Sequence, residues 1–198
     1  MNSRRKKIAA GVLIALALVS LSIFLFKAHG YQQIDVDGVT RQYLIHVPKN
    51  YQSGTPIPLV FGLHGAFGDA QQFRSSSGFD DVADQYNFII VYPDGLGATK
   101  YAFHYWNSGQ IKSRVDQGTD DVGFLLRLLE TIQSKYSIDL DRIYLTGHSN
   151  GAMMSYRMLG EHAEMFAAIA PVAGSVGSRQ DEDSRDFIIP TPSQSVNV

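Results

Sequence analysis

Gly147-His148-Ser149-Asn150-Gly151 sets a serine between two glycines at the G-x-S-x-G spacing, which exposes a nucleophilic hydroxyl on a sharp turn between a strand and a helix. The chemistry such a turn serves is acyl transfer: a positioned serine oxygen attacks a carbonyl carbon and splits one difficult displacement into two easier ones. The spacing alone turns up by chance in a chain of this length roughly one time in fifteen, so its surroundings decide. Arg142-Ile-Tyr-Leu-Thr146 upstream is a short, apolar, β-rich run that predicts a buried strand. Ala152 to Leu159 downstream contains neither Gly nor Pro and sets Met154, Met158 and Leu159 on one helical face. Gly147 and Gly151 supply the room that strand and helix need at so tight a turn.

Other candidate groups sit on predicted loops. His64 follows an apolar run, and His104, Trp106 and Asn107 share the long loop after Pro93. Trp106, the only tryptophan, either walls an acyl pocket or packs onto the sheet. His148 inside the elbow either touches substrate or is inert, and His104 is a further substrate-binding candidate. His64 is expected to order its own loop rather than serve as a base. The absence of cysteine excludes disulfides, thiol catalysis and thiolate metal sites. With the histidines scattered, no H-E-x-x-H and no phosphate-cradling loop, neither a metal nor an organic cofactor is expected.

The elements that must position these groups alternate. Asp37-Gly38 between two β-rich runs is a hairpin signal. Leu59 to Leu63 predicts a buried strand, about Asp69 to Tyr86 a helical stretch, and Phe88 to Tyr92 another strand. Thr119-Asp120-Asp121 resembles a helix N-terminus, with a helix continuing to about Tyr136, and Phe166 to Val172 predicts a further strand. The fold class is therefore α/β, a mostly parallel sheet covered by helices on both faces. Sites in such sheets lie beyond the carboxyl ends of the strands. Ser149, the His64-Gly65 loop and the Pro93 to Gly118 loop all leave strands at that edge.

At 198 residues and 44% hydrophobic content, the chain suits one domain preceded by a short export segment. That segment is Arg4-Arg5-Lys6-Lys7 followed by residues 8–26, which carry no charge. Residues 1–30 predict either a cleaved signal peptide or a retained anchor, with residues 31–198 outside the cytoplasm. Membrane contact is expected only through residues 8–26 if they stay attached. A formal charge of −2 gives no electrostatic reason to expect nucleic acid as a partner. Oligomeric state is left open.

Several runs together resemble the α/β-hydrolase superfamily, and within it the exported polyhydroxybutyrate depolymerase and feruloyl esterase group. They are Leu59-Val-Phe-Gly-Leu-His-Gly65, Val91-Tyr-Pro-Asp-Gly95, Trp106-Asn107, Asp120-Asp-Val-Gly-Phe124, Arg142 to Met154 and Phe166 to Gly174, in that group's order. The similarity runs from Tyr31 to about Gly174. Ala66 departs from it, since many members place a cysteine there. The resemblance implies an exported serine hydrolase of small or polymeric carboxylic esters, working through an acyl-enzyme on Ser149. It implies the backbone N–H groups of Asn150 and Ala66 as oxyanion donors.

In this superfamily an acid and then a histidine follow the nucleophile in the chain. After Ser149 the only histidine is His162, about 20 Å along a helix and out of reach of a serine proton. Asp181, Glu182, Asp183 and Asp186 belong to a polar run that predicts a solvated loop. Gln194 to Val198 resembles the start of a strand that, in the family, leads to the catalytic aspartate. The sequence is therefore expected to be C-terminally incomplete, lacking later strands and the triad acid and histidine. The alternative to an esterase is a truncated, non-catalytic remnant, at most a binding protein.

Overall fold

The computed structural model describes residues 30–99, 102–109, 119–176 and 189–198, of which 32–198 belong to one compact unit. In chain order the elements are β1 (Gln32–Val36), β2 (Val39–His46), β3 (Ile57–Leu63), α1 (Ala70–Ser77), α2 (Phe79–Tyr86), β4 (Ile89–Pro93), β5 (Leu96–Thr99), β6 (Ala102–Tyr105), α3 (Asp121–Lys135), β7 (Ile138–His148), α4 (Asn150–His162), a 3-10 turn (Ala163–Met165) and β8 (Ala168–Val172). The main sheet has the order β1-β2-β4-β3-β7-β8, antiparallel across β1-β2-β4 and parallel from β4 to β8. β5 and β6 form a separate antiparallel pair.

The predicted α/β class is present, and local chemistry explains its boundaries. Asp37 (φ 51°) and Gly38 (φ 82°) both take the positive φ that a two-residue hairpin requires, and the Gly38 N–H donates to Asp35 Oδ1 at 3.0 Å. The helical stretch expected from Asp69 to Tyr86 is two helices, not one. Gly78 adopts φ 68°, capping α1 at its C-terminus and opening α2, because only glycine enters that region without a Cβ penalty. α3 begins where expected: Asp120 Oδ1 accepts the Gly123 N–H at 2.8 Å.

Strand alternation sorts the two faces of the sheet. Phe61, Val91 and Leu145 join Phe124, Leu128, Ile132, Met154 and Met158 of α3 and α4 in the main core. Their neighbours Gly62 and Tyr92 face the other way, toward Phe73 of α1. A charged pair lies in the interior. Arg41 Nη2 reaches Asp121 Oδ1 at 2.5 Å and the Asp94 carbonyl at 3.1 Å, with the guanidinium 3.9 Å over the Phe124 ring. Burial of these charges is tolerable because each is paired, and the pair ties β2 to the end of β4 and the start of α3. At the sheet edge, Ala168 bridges Asn197 in parallel and the Ile169 N–H donates to the Asn197 carbonyl at 2.9 Å.

The apolar run 8–26, most of the export segment and the acidic residues Asp181, Glu182, Asp183 and Asp186 lie outside the described residues. Among the described residues, no helix is long and apolar enough to cross a membrane.

Candidate active site

β7 ends at His148 and α4 starts at Asn150, so the whole turn rests on Ser149, which sits at φ 53° and ψ −115°. This is a sparsely populated conformation for a residue with a side chain, costing about 1–3 kcal/mol, and it persists only where the surroundings impose it. They do. The Ser149 N–H donates to the Val172 carbonyl at 2.9 Å, and the Ser149 carbonyl accepts from Met153 N–H at 3.0 Å. The two glycines are required by close approach. A Cβ on Gly147 would stand 2.5 Å from the Gly151 carbonyl, and one on Gly151 would stand 2.5 Å from the His64 carbonyl oxygen. Ser149 is half-buried, and its Oγ has no hydrogen-bond partner among the described residues.

The loop after β3 runs alongside this turn. A Cβ on Gly65 would lie 3.6 Å from the Ser149 Cβ. Within the loop the Phe67 N–H donates to the His104 carbonyl and the Gly68 N–H to the Gly65 carbonyl. The Ala66 N–H donates to no described residue, and neither does the Asn150 N–H in the first turn of α4. Both sequence-predicted oxyanion donors thus stand on segments that meet at Ser149.

His64 is fully buried and its protonation state is dictated by its partners. Nδ1 lies 2.8 Å from the Gly65 carbonyl, which only accepts, so Nδ1 carries the hydrogen. Nε2 accepts the Gly95 N–H at 3.0 Å and must be a lone pair. The ring is therefore neutral, and its pKa is lowered, first by burial, against a raising contribution from the Gly65 carbonyl. It orders the loop and has no nitrogen left to receive a proton from Ser149.

Trp106 is fully buried and does not wall an open pocket. Its indole packs 5.0 Å from the His64 ring, and Nε1–H donates to the His64 carbonyl at 2.9 Å. The Asn150 side chain, 1% exposed at residue level, holds Trp106: Oδ1 accepts the Trp106 N–H at 2.7 Å and Nδ2 donates to the Trp106 carbonyl at 3.1 Å, with a longer bond from Nδ2 to Ser108 Oγ at 3.4 Å. The next residue is held from two sides, its N–H by Asp121 Oδ2 and its carbonyl by Arg157 Nη1. His104 is also buried, whereas His148 is exposed on the rim of a cleft of about 360 Å³ lined also by Gly65, Gln72, Phe73, Phe79 and Val172. His162 closes the far end of α4.

Sequence reasoning passed over Asp94, visible only as part of a Pro-Asp-Gly turn. Its Oδ1 accepts the Ala70 N–H at 2.5 Å and lies 3.9 Å from His64 Nε2 and 3.7 Å from His104 Nδ1. These three side chains are the one group of described residues close enough to share an ion. The fit is poor, because both His64 nitrogens are already engaged and Asp94 Oδ1 holds a backbone N–H. A second feature missed was the Arg41–Asp121 pair, whose partners are far apart in sequence and carry no local signal.

Residues 42–184 match the family model described as Esterase PHB depolymerase. Among individual proteins, 130 residues are 30% identical to a probable acetylxylan esterase A of Neosartorya fischeri, covering 66% of this chain and 34% of that protein. A poly(3-hydroxyalkanoate) depolymerase C of Paucimonas lemoignei is 29% identical over 178 residues, covering 87% of this chain and 41% of that protein. The chain thus spans less than half the length of these relatives. Among solved structures, native sOPH superposes with a TM-score of 0.62 at 21% identity, covering 77% of this chain and 53% of that one. An acetyl xylan esterase from Aspergillus awamori gives 0.57 at 24% identity, covering 73% and 53%. The structural likeness shows the α/β-hydrolase fold.

Proposed function

Because this chain belongs to the Esterase PHB depolymerase family, we propose that it represents an exported serine hydrolase of carboxylic esters that works through an acyl-enzyme on Ser149. The observation that carries this is the Ser149 backbone, held at φ 53° and ψ −115° between β7 and α4 with the Gly65 loop packed against it. In the reaction, Ser149 Oγ attacks the ester carbonyl carbon while its proton passes to a general base that is not among the described residues, and the carbonyl oxygen becomes an oxyanion. The Asn150 and Ala66 N–H groups serve as its donors, each worth about 3 kcal/mol of barrier when lost. Collapse breaks the bond to the alcohol oxygen, which leaves with that proton, and water then adds to the acyl-enzyme, releasing the acid and returning a proton to Ser149 Oγ. The chemistry calls for no metal or organic cofactor.

The relatives' names point to acetylated xylan and poly(hydroxyalkanoate) as ester classes for this site. Export rests on the four cations before the uncharged run 8–26.

A second reading, a chain that binds without catalysis, is favoured by one observation. No described histidine hydrogen-bonds to Ser149 Oγ, and His64, the ring in the neighbouring loop, is committed at both nitrogens. A fluorophosphonate probe distinguishes the two. The serine hydrolase, assayed as the full-length protein, is labelled on Ser149 and turns over p-nitrophenyl butyrate, and Ser149→Ala abolishes both. Equal labelling of wild type and Ser149→Ala would overturn the proposal.

A further inference from the structure

The Asn150 side chain makes a two-point contact with one residue of a distant loop, accepting from the Trp106 N–H and donating to the Trp106 carbonyl. An amide matched to the N–H and C=O of a single residue fixes both its position and its orientation, because a rotation that keeps one bond breaks the other. The contact is buried, so water does not readily replace it. Trp106 has one polar side-chain atom, and that atom holds the His64 carbonyl at 2.9 Å. His64 then clamps the Gly65 carbonyl with Nδ1–H and the Gly95 N–H with Nε2. These bonds form one path from the first residue of α4 to the peptide that carries the Ala66 N–H.

Resting on the reading of Ser149 as nucleophile, we infer that the Asn150 side chain is a positioning residue that couples the two oxyanion donors. One donor is the N–H of residue 150 itself. The other, on Ala66, is held in register with it through Trp106 and His64. A developing oxyanion is stabilised only by donors that stand in place before the reaction, so their spacing must be set by the protein and not by the substrate. The same residue that supplies the first donor therefore sets where the second one stands.

Trp106 is the only tryptophan, so its fluorescence reports the brace without interference. The experiment compares wild type, Asn150→Ala, Trp106→Phe and the double variant by the second-order rate of fluorophosphonate labelling at Ser149, with Ser149→Ala as the blank. Trp106→Phe keeps an aromatic ring and removes the indole N–H, so it remains informative if Asn150→Ala folds poorly. Asn150→Ala is expected to red-shift the Trp106 emission and raise its quenching by acrylamide. Each single variant should slow labelling by about 10- to 100-fold, less than the roughly 100- to 1000-fold of a donor lost outright. The double variant should be no slower than the slower single one, since both cut the same path. An unchanged Trp106 emission in Asn150→Ala, or rate losses that multiply in the double variant, would overturn the inference. Failure of wild type to label counts against the functional reading alone, and the Trp106 spectrum still decides the brace.

Discussion

Gly151→Ala places a single methyl group where the start of α4 crosses the end of β3 at close range. Its Cβ would stand 2.5 Å from the His64 carbonyl oxygen and 2.8 Å from the Leu63 carbonyl carbon. Carbon–oxygen contacts bottom out at about 3.3 Å, so the end of β3 or the start of α4 must give by about 0.8 Å. Both colliding groups are main chain and cannot rotate away. Two stability effects oppose each other: alanine gains up to about 1 kcal/mol over glycine in a helix interior, and an extra methyl in a packed core costs about 1–3 kcal/mol. The loss wins, because residue 151 lies in the first turn of α4, where few helical bonds depend on it. A net destabilisation of about 1–2 kcal/mol follows, measurable by urea unfolding. The larger effect falls on Ser149. The displaced segment carries His64, Gly65 and Ala66, and a misplacement approaching 1 Å costs on the order of 100-fold in rate. Fluorophosphonate labelling of Ser149 measures it directly. A Gly151→Ala protein within about 0.5 kcal/mol of wild type and labelled at an unchanged rate would refute the close approach and the reasoning built on it.

Two further outcomes follow from the same geometry. Burial holds the His64 pKa below its ordinary 6.5, so on acidification the unfolded chain takes up this proton before the folded one does. The stabilisation is fully present above pH 6.5 and is lost as pH falls toward the folded pKa, by up to about 1.4 kcal/mol per pH unit. Urea unfolding at neutral and mildly acidic pH should show a shallower dependence for His64→Asn than for wild type, and equal slopes would remove His64 as the cause. Ser149→Gly should abolish labelling while stabilising the fold by about 0.5–2 kcal/mol, since it relieves a strained backbone worth about 1–3 kcal/mol against glycine's greater freedom when unfolded. A less stable Ser149→Gly protein would show that the elbow stores no strain.

Some features were legible because their causes are local. Asp37-Gly38 makes the hairpin because both positions need positive φ, and Asp120 caps α3 because its carboxylate reaches an N–H three residues on. The split of α1 from α2 was missed although Gly78 was in plain view: apolar residues continue across it, and only the adopted φ of 68° shows that this glycine ends a helix. Trp106 was open to two roles, pocket wall or packed aromatic. Its complete burial depends on Asn150 and His64, which no window of sequence brings beside it.

The elbow at Ser149 follows from its local sequence. A strand-forming run, a helix-forming run and two residues without a Cβ around Ser149 lie between Arg142 and Leu159, and backbone sterics over that distance leave few other conformations. Its surroundings come from segments that lie far apart in the chain. The order β4-β3-β7 brings the Asp94, His64 and Ser149 segments to one edge of the sheet. Only there do the Asn150 amide, the Trp106 indole and the His64 carbonyl meet, because bonds between distant residues form where topology has already met the entropy cost of closing the loops between them.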